Sequence, residues 1–115
     1  MKKQLETWKD IPGYEGIYEV SDMGRVRSVD RFIKTRRGHN RPYLGRLMVT
    51  QFEPGKPQTI ILSKAGNRKC EKVGQLVLQA FVGERGANEV ISYKDEDPSN
   101  SQLSNLTWVK EPVVQ

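Results

Sequence analysis

Only one stretch of this chain has the period of an amphipathic helix. In Val73-Gly74-Gln75-Leu76-Val77-Leu78-Gln79-Ala80-Phe81, residues Val73, Leu76, Val77, Ala80 and Phe81 recur at i, i+3, i+4, i+7 and i+8. That spacing draws one apolar stripe along a helix. Gly83 follows just past its end, where a C-cap glycine belongs. Short β-rich runs broken by Gly and Pro lie on either side. One helix among many short strands restricts the chain to the α+β class: a small antiparallel sheet with one main helix. With 115 residues, the chain suits one compact domain or two very small modules sharing a core.

Before the helix, Ile17-Tyr18-Glu19-Val20 and Arg25-Val26-Arg27-Ser28-Val29 alternate as strands do. Ser21-Asp22-Met23-Gly24 joins them as a tight turn, with Gly24 free to take positive φ. Trp8–Gly16, punctuated by Pro12-Gly13 and Gly16, reads as loop. Residues 35–45 read as a loop too, with Gly38, Pro42 and Gly45. Leu47–Gln51 and Thr59–Ser63 read as strands, and Ala65-Gly66-Asn67 as a turn into a short strand ending at Lys72. Beyond the helix, Glu89–Ser92 and Leu106–Val109 read as strands around the polar loop 95–105, and Pro112 stops any helix running through it.

Charge divides the chain unevenly. Residues 1–72 hold 16 of the 19 Lys and Arg against 8 of the 14 acids, and residues 73–115 hold 3 against 6. From Arg31 to Arg46 there are six cations and no acid. Such a stripe is an electrostatic footprint for nucleic acid; the alternative is a solvated loop. The expected DNA-contacting residues are Arg25, Arg27, Arg31, Lys34, Arg36, Arg37, Arg41 and Arg46. Phe32 and Tyr43 are expected in the core, with packing on sugars or bases as the alternative. Cys70 and His39 stand alone in their types, which excludes an internal disulfide and a cysteine-based zinc site. No apolar run reaches the roughly 18 residues of a membrane span, and the first residues, MKKQLETWKD, lack the apolar core of a signal peptide. A cytosolic protein without membrane partners is expected.

The segment Trp8–Ser28, WKDIPGYEGIYEVSDMGRVRS, resembles the nuclease-associated module at the front of many phage HNH homing endonucleases. Lys72–Phe81 is similar to the helix "V-H-R-L-V-A-x-A-F" of that family. Glu89–Val109 is similar to its segment "V-V-D-H-x-D-G-D-x-x-N-N-x-x-x-N-L-x-W-V", with Asp95, Asp97, Asn100, Asn105, Leu106 and Trp108 matching. The resemblance implies a hairpin module with its basic loop over residues 1–46, then an HNH-like domain with a truncated ββα-metal segment over 47–115. It also implies phage or prophage origin in a bacterial host cytosol, and DNA as partner.

An HNH nuclease works with one hard divalent cation and one imidazole base. In this sequence the positions that carry them hold other residues. The "D-H" pair falls on Ser92-Tyr93, the helix histidine on Gly74, and the second metal ligand of the final helix on about Val114. A serine hydroxyl is a poor ligand for Mg²⁺, and an ordinary tyrosine is a poor base at neutral pH. The expectation is therefore no catalytic residue, no metal site and no cofactor, with Mg²⁺ required only by an atypical nuclease. Three alternatives stay open. Asp95, Glu96 and Asp97 supply a shifted metal site; Tyr93 acts as a covalent nucleophile; or the fold serves as a phage-encoded inhibitor of a host nucleic-acid enzyme, with the acidic loop 94–104 as contact. Asn100 and Asn105 are expected to hold backbone groups in that loop.

Overall fold

Gly24 takes φ +81° in the computed structural model, and the hairpin closes around it as its sequence dictates. The structure describes residues 5–111. Three strands form the first sheet in the order β1 (Trp8–Asp10), β2 (Tyr18–Ser21), β3 (Val26–Ser28). The Ser21 hydroxyl accepts the Met23 and Arg25 amides at 3.2 and 3.1 Å, pinning the turn. The expected loop Trp8–Gly16 therefore begins as a strand, which pairs Trp8 with Ser21 and Asp10 with Glu19. Three residues are too few to show a period.

The basic segment also differs from expectation. It is a two-stranded ribbon of β4 (Arg31–Lys34) and β5 (Asn40–Tyr43), not a loop. Phe32 faces Pro42 across the strands. Pro42 has no amide to donate, and an outer strand tolerates that. Leu47–Gln51, expected as a strand, makes only isolated bridges, Leu47 to Arg27 and Gln51 to Thr59. It is an extended connector with Val49 94% exposed. A β-branched composition fits an extended chain but supplies no partner strand.

The hairpin β6 (Thr59–Lys64) and β7 (Asn67–Lys72) turns through Ala65 and Gly66, both at positive φ. Two such residues make the type I′ turn that suits the right-handed strand twist. The helix α1 spans Val73–Phe81, as its period predicts. Leu78 and Gly74 are buried along with Val73, Leu76 and Val77, so the helix is covered on more than one side. Gly83 accepts the role of its sequence position: its amide donates to Leu78 O at 2.9 Å. Last come β8 (Glu89–Tyr93), the 3₁₀ turn Leu103–Asn105 and β9 (Leu106–Lys110), with β8 antiparallel to β9.

The architecture is α+β, with one helix and four small antiparallel sheets among the described residues instead of a single sheet. The core draws on both ends of the chain: Ile11, Tyr18, Val20 and Val26 from the first sheet, Ile60 and Leu62 from β6, the helix stripe, and Leu106 from β9. The turn at Gly24 sits against the loop before β9, where the Leu103 amide donates to Asp22 O at 2.8 Å. Among the described residues no helix is long and apolar enough to cross a membrane.

Candidate nucleic-acid interface

Among the described residues the β4–β5 ribbon pairs with no other strand. Its five-residue tip is held by Thr35, whose amide donates to His39 O at 2.7 Å and whose hydroxyl accepts the His39 amide at 3.2 Å. Paired residues of antiparallel strands share a face. One face therefore carries Arg31, Tyr43, Ile33 and Arg41, and the other Phe32, Pro42, Lys34 and Asn40. The first turns toward the body at its base. Tyr43 lines a small cavity with Tyr18, Met48 and Val49, and the Arg31 guanidinium lies 4.8 Å from the centre of the Tyr43 ring. The second face is open to solvent, and Phe32, expected in the core, is 73% exposed. The reason is register. Opposite Pro42 on an unpartnered ribbon, Phe32 has no second layer to enter. Lys34, Arg36, Arg37 and Arg41 are exposed as well.

Arg25 and Arg27 sit elsewhere, at the outer face of the first sheet, around Trp8. The Arg27 guanidinium lies 4.1 Å from the Trp8 ring centre and the Arg25 guanidinium 5.8 Å. Each also has an acid: Arg27 pairs with Glu19 at 2.7 Å and Arg25 with Glu6. The hydrogen bond from Arg25 holds the Glu6 carboxyl below its usual range. With Arg46 these groups line an open groove of about 540 Å³ that reaches the base of the ribbon. The eight predicted cations thus divide into two groups. Arg25 and Arg27 are neutralised locally, while the ribbon cations have no ion-pair partner among the described residues. Sequence reasoning missed Trp8 as a stacking platform, and it missed the two glutamates. Glu19 was findable, since a turn at Ser21–Gly24 sets it opposite Arg27.

At the other end, Ile91 and Tyr93 project from one face of β8 onto α1. A Cβ placed at Gly74 would lie 2.9 Å from Ile91 Cδ1 and 3.3 Å from Tyr93 Oη. Ser92 alternates to the opposite face and pairs with Thr107. Burial pushes the Tyr93 phenol above its ordinary range. Asp95 is the hub of the following loop. Its carboxylate accepts the Asp97 amide at 2.8 Å, Asn100 Nδ2 at 2.8 Å and Asn105 Nδ2 at 3.0 Å. The Asn100 bond is the largest influence holding its pKa below the ordinary value. Asn105 returns an acceptor to the Asp95 amide at 2.9 Å and donates to Asn100 O at 3.0 Å. Asn100 and Asn105 thus hold backbone groups, as their sequence context predicts. Asp97 is occupied in turn, accepting the Ser99 amide and hydroxyl at 3.0 and 2.6 Å.

Residues 6–52 match the NUMOD4 motif. Over those residues the chain is similar to the NUMOD4 motif, and nearly all of it is similar to one half of an HNH homing endonuclease. It is 31% identical over 106 residues to the DNA endonuclease I-HmuI of Bacillus phage SP01, covering 92% of this chain and 53% of that protein. A solved structure concerned with DNA binding and cleavage by the HNH homing endonuclease I-HmuI matches with a TM-score of 0.63 at 29% identity. That match covers 90% of this chain and 52% of that one. The chain thus spans about half the length of the endonuclease it matches. All eight predicted DNA-contacting residues fall inside the NUMOD4 stretch, and Gly74, Ser92 and Tyr93 fall outside it.

The similarity to an HNH endonuclease raises the question of a divalent cation, and the donors at the positions that the resemblance assigns do not fit one. Ser92 offers a neutral hydroxyl facing away from α1. Tyr93 offers a buried phenol, and Gly74 offers nothing. Asp95 has both oxygens engaged in the loop it organises. Among the described residues, no group of three or more His, Cys, Asp or Glu converges as a metal site. His39 lies at the ribbon tip, on a different element from β8 and α1. Val114 lies outside the described residues.

Proposed function

We propose that this chain is a DNA-binding protein derived from an HNH homing endonuclease and that it does not cleave. The observation that carries the binding half is the β4–β5 ribbon, an arm on which Lys34, Arg36, Arg37 and Arg41 face solvent without a single acid from Arg31 to Arg46. Phosphates attract such an arm through counterion release, which is sequence-independent and steeply salt-dependent. Arg25 and Arg27, stacked on Trp8 and paired with glutamates, act as structural supports for the groove and add less to binding. The acids of the loop at 94–97 face away from this role, since they repel a phosphate backbone.

The non-cleaving half rests on donor chemistry. Metal-assisted hydrolysis needs anionic oxygen ligands and a base that titrates near neutral pH. Ser92, Tyr93 and Gly74 supply neither, and the Asp95 carboxylate is committed to Asp97, Asn100 and Asn105 of its own loop. The similarity to a phage endonuclease supports reading the chain as phage-encoded and acting in the host cytosol.

The test has two arms. If Lys34, Arg36, Arg37, Arg41 and Arg46 each neutralise one phosphate, the slope of log K against log salt is about −4.5. Affinity for duplex DNA then falls about 500-fold between 50 and 200 mM salt. Triple charge reversal of Arg36, Arg37 and Arg41 reduces the slope by about 2.7. Supercoiled plasmid incubated with Mg²⁺ or Mn²⁺ stays intact. Absence of duplex binding at low salt overturns the first half, and metal-dependent nicking abolished by a chelator overturns the second.

A further inference from the structure

The open face of the ribbon carries something that counterion release does not explain. Phe32 and Pro42 form a cross-strand apolar pair within the acid-free basic stretch Arg31–Arg46. Nothing else in the described chain covers Phe32, which is 73% exposed. Lys34 and Asn40 follow on the same face, and Arg36 and Arg37 stand at the tip. A solvated, merely soluble ribbon gains nothing from a phenyl ring in that place.

The dimensions of the ribbon select its occupant. Two strands lie about 4.8 Å apart before side chains are added. An undeformed major groove, about 12 Å wide, admits a two-stranded ribbon, whereas a minor groove of about 6 Å takes strands only when the duplex is kinked open at a cost of a few kcal/mol. The acid-free charge of Arg31–Arg46 matches the phosphates on either rim. Within the major groove the one apolar feature on a base edge is the C5 methyl of thymine. Resting on the DNA-binding reading above, we infer that the Phe32–Pro42 face of the ribbon enters the major groove and packs on thymine methyl groups. The tip arginines hold the flanking phosphates, and Asn40, on the same face, is within the chemistry that reads adenine. The consequence is a preference for thymine-containing steps over and above general affinity.

The experiment uses the full chain and three labelled duplexes of equal length: alternating dA·dT, the same duplex with deoxyuridine replacing thymidine, and alternating dG·dC. The expected result is tighter binding to the thymine duplex than to its uracil counterpart, by about fourfold for each methyl covered. Phe32→Ser removes that preference and leaves the salt slope unchanged, since no phosphate contact is lost. Val49→Ser, at an even more exposed apolar position off the ribbon, keeps the preference. Equal binding of thymine and uracil duplexes by the wild-type chain overturns the inference while leaving DNA binding intact. A Phe32→Ser variant that binds all three duplexes less tightly by one common factor, with thymine still preferred over uracil, also overturns it. Failure of the wild-type chain to bind any duplex at low salt overturns the DNA-binding reading itself, and this inference with it.

Discussion

Gly24→Ala tests how firmly the front of the molecule is locked to its far end. Gly24 sits at φ +81° in the turn between β2 and β3, and an added Cβ would lie 2.9 Å from the backbone oxygen of Ser101 and 3.0 Å from its carbonyl carbon. The obstacle is main chain, fixed by the Leu103 amide on Asp22 O, so it cannot swing aside. Two effects add. A left-handed alanine costs about 1–2 kcal/mol, and forcing a methyl into an occupied space costs about 1–3 kcal/mol. Reduced freedom of the unfolded chain offsets about 0.4–1 kcal/mol. The net loss is about 2–4 kcal/mol, a large part of the 5–15 kcal/mol typical of a domain. Gly13→Ala is the matched control. Gly13 has φ +87° with nothing within 4 Å of its Cβ, so only the backbone effect remains, about 1 kcal/mol. Urea titrations of both variants separate the two effects. Equal destabilisation of the two, within about 0.5 kcal/mol, would mean that the turn does not press on the Ser101 backbone, and the packing reasoning would fail.

Other perturbations probe the loop between β8 and β9. Asn105→Ala removes a nearly buried amide that makes three hydrogen bonds to Asp95 and Asn100, and a loss of about 2–4 kcal/mol is expected from thermal or urea unfolding. Asp95 has its pKa lowered from 3.8, chiefly by the Asn100 hydrogen bond. Its contribution is complete above that value and disappears as the pH falls through the lower, folded-state pKa. Stability measured from pH 6 down to pH 2 therefore drops in that acid range, and Asp95→Asn flattens the drop. Glu96 holds φ +63°, a conformation glycine adopts without strain, and Glu96→Gly raises the urea midpoint by the equivalent of up to about 1 kcal/mol.

The parts of the fold that were legible in the sequence are those where one local pattern decides. The helix Val73–Phe81 showed its stripe, the Ser21–Gly24 turn showed its glycine, and Asn100 and Asn105 showed themselves as loop anchors by residue type. The parts that were not legible depend on a partner strand. β1 exists because Trp8–Asp10 finds β2, and β5 exists because Asn40–Tyr43 folds back on β4, although Asn-Arg-Pro-Tyr has no strand signature. Leu47–Gln51 has the signature and no partner. Phe32 was misplaced for the same reason: hydrophobicity favours burial, but topology left it no layer to join. At the candidate interface the cations were readable one by one. Their separation into a stacked, acid-paired pair and a bare arm was only half legible: the turn sets Glu19 opposite Arg27, but Glu6 meets Arg25 only in the folded chain, 19 residues away.

The contact over Gly74 sets the order in which this surface can change. A histidine introduced at 74 collides with Ile91, and a histidine at 93 abandons the space that the phenol ring fills against the helix. Trimming Ile91 first leaves a hole of its own. Each single replacement lowers stability before any combination restores it, so the route toward a histidine-bearing helix runs uphill from every starting step, and small mutations alone keep the surface where it is.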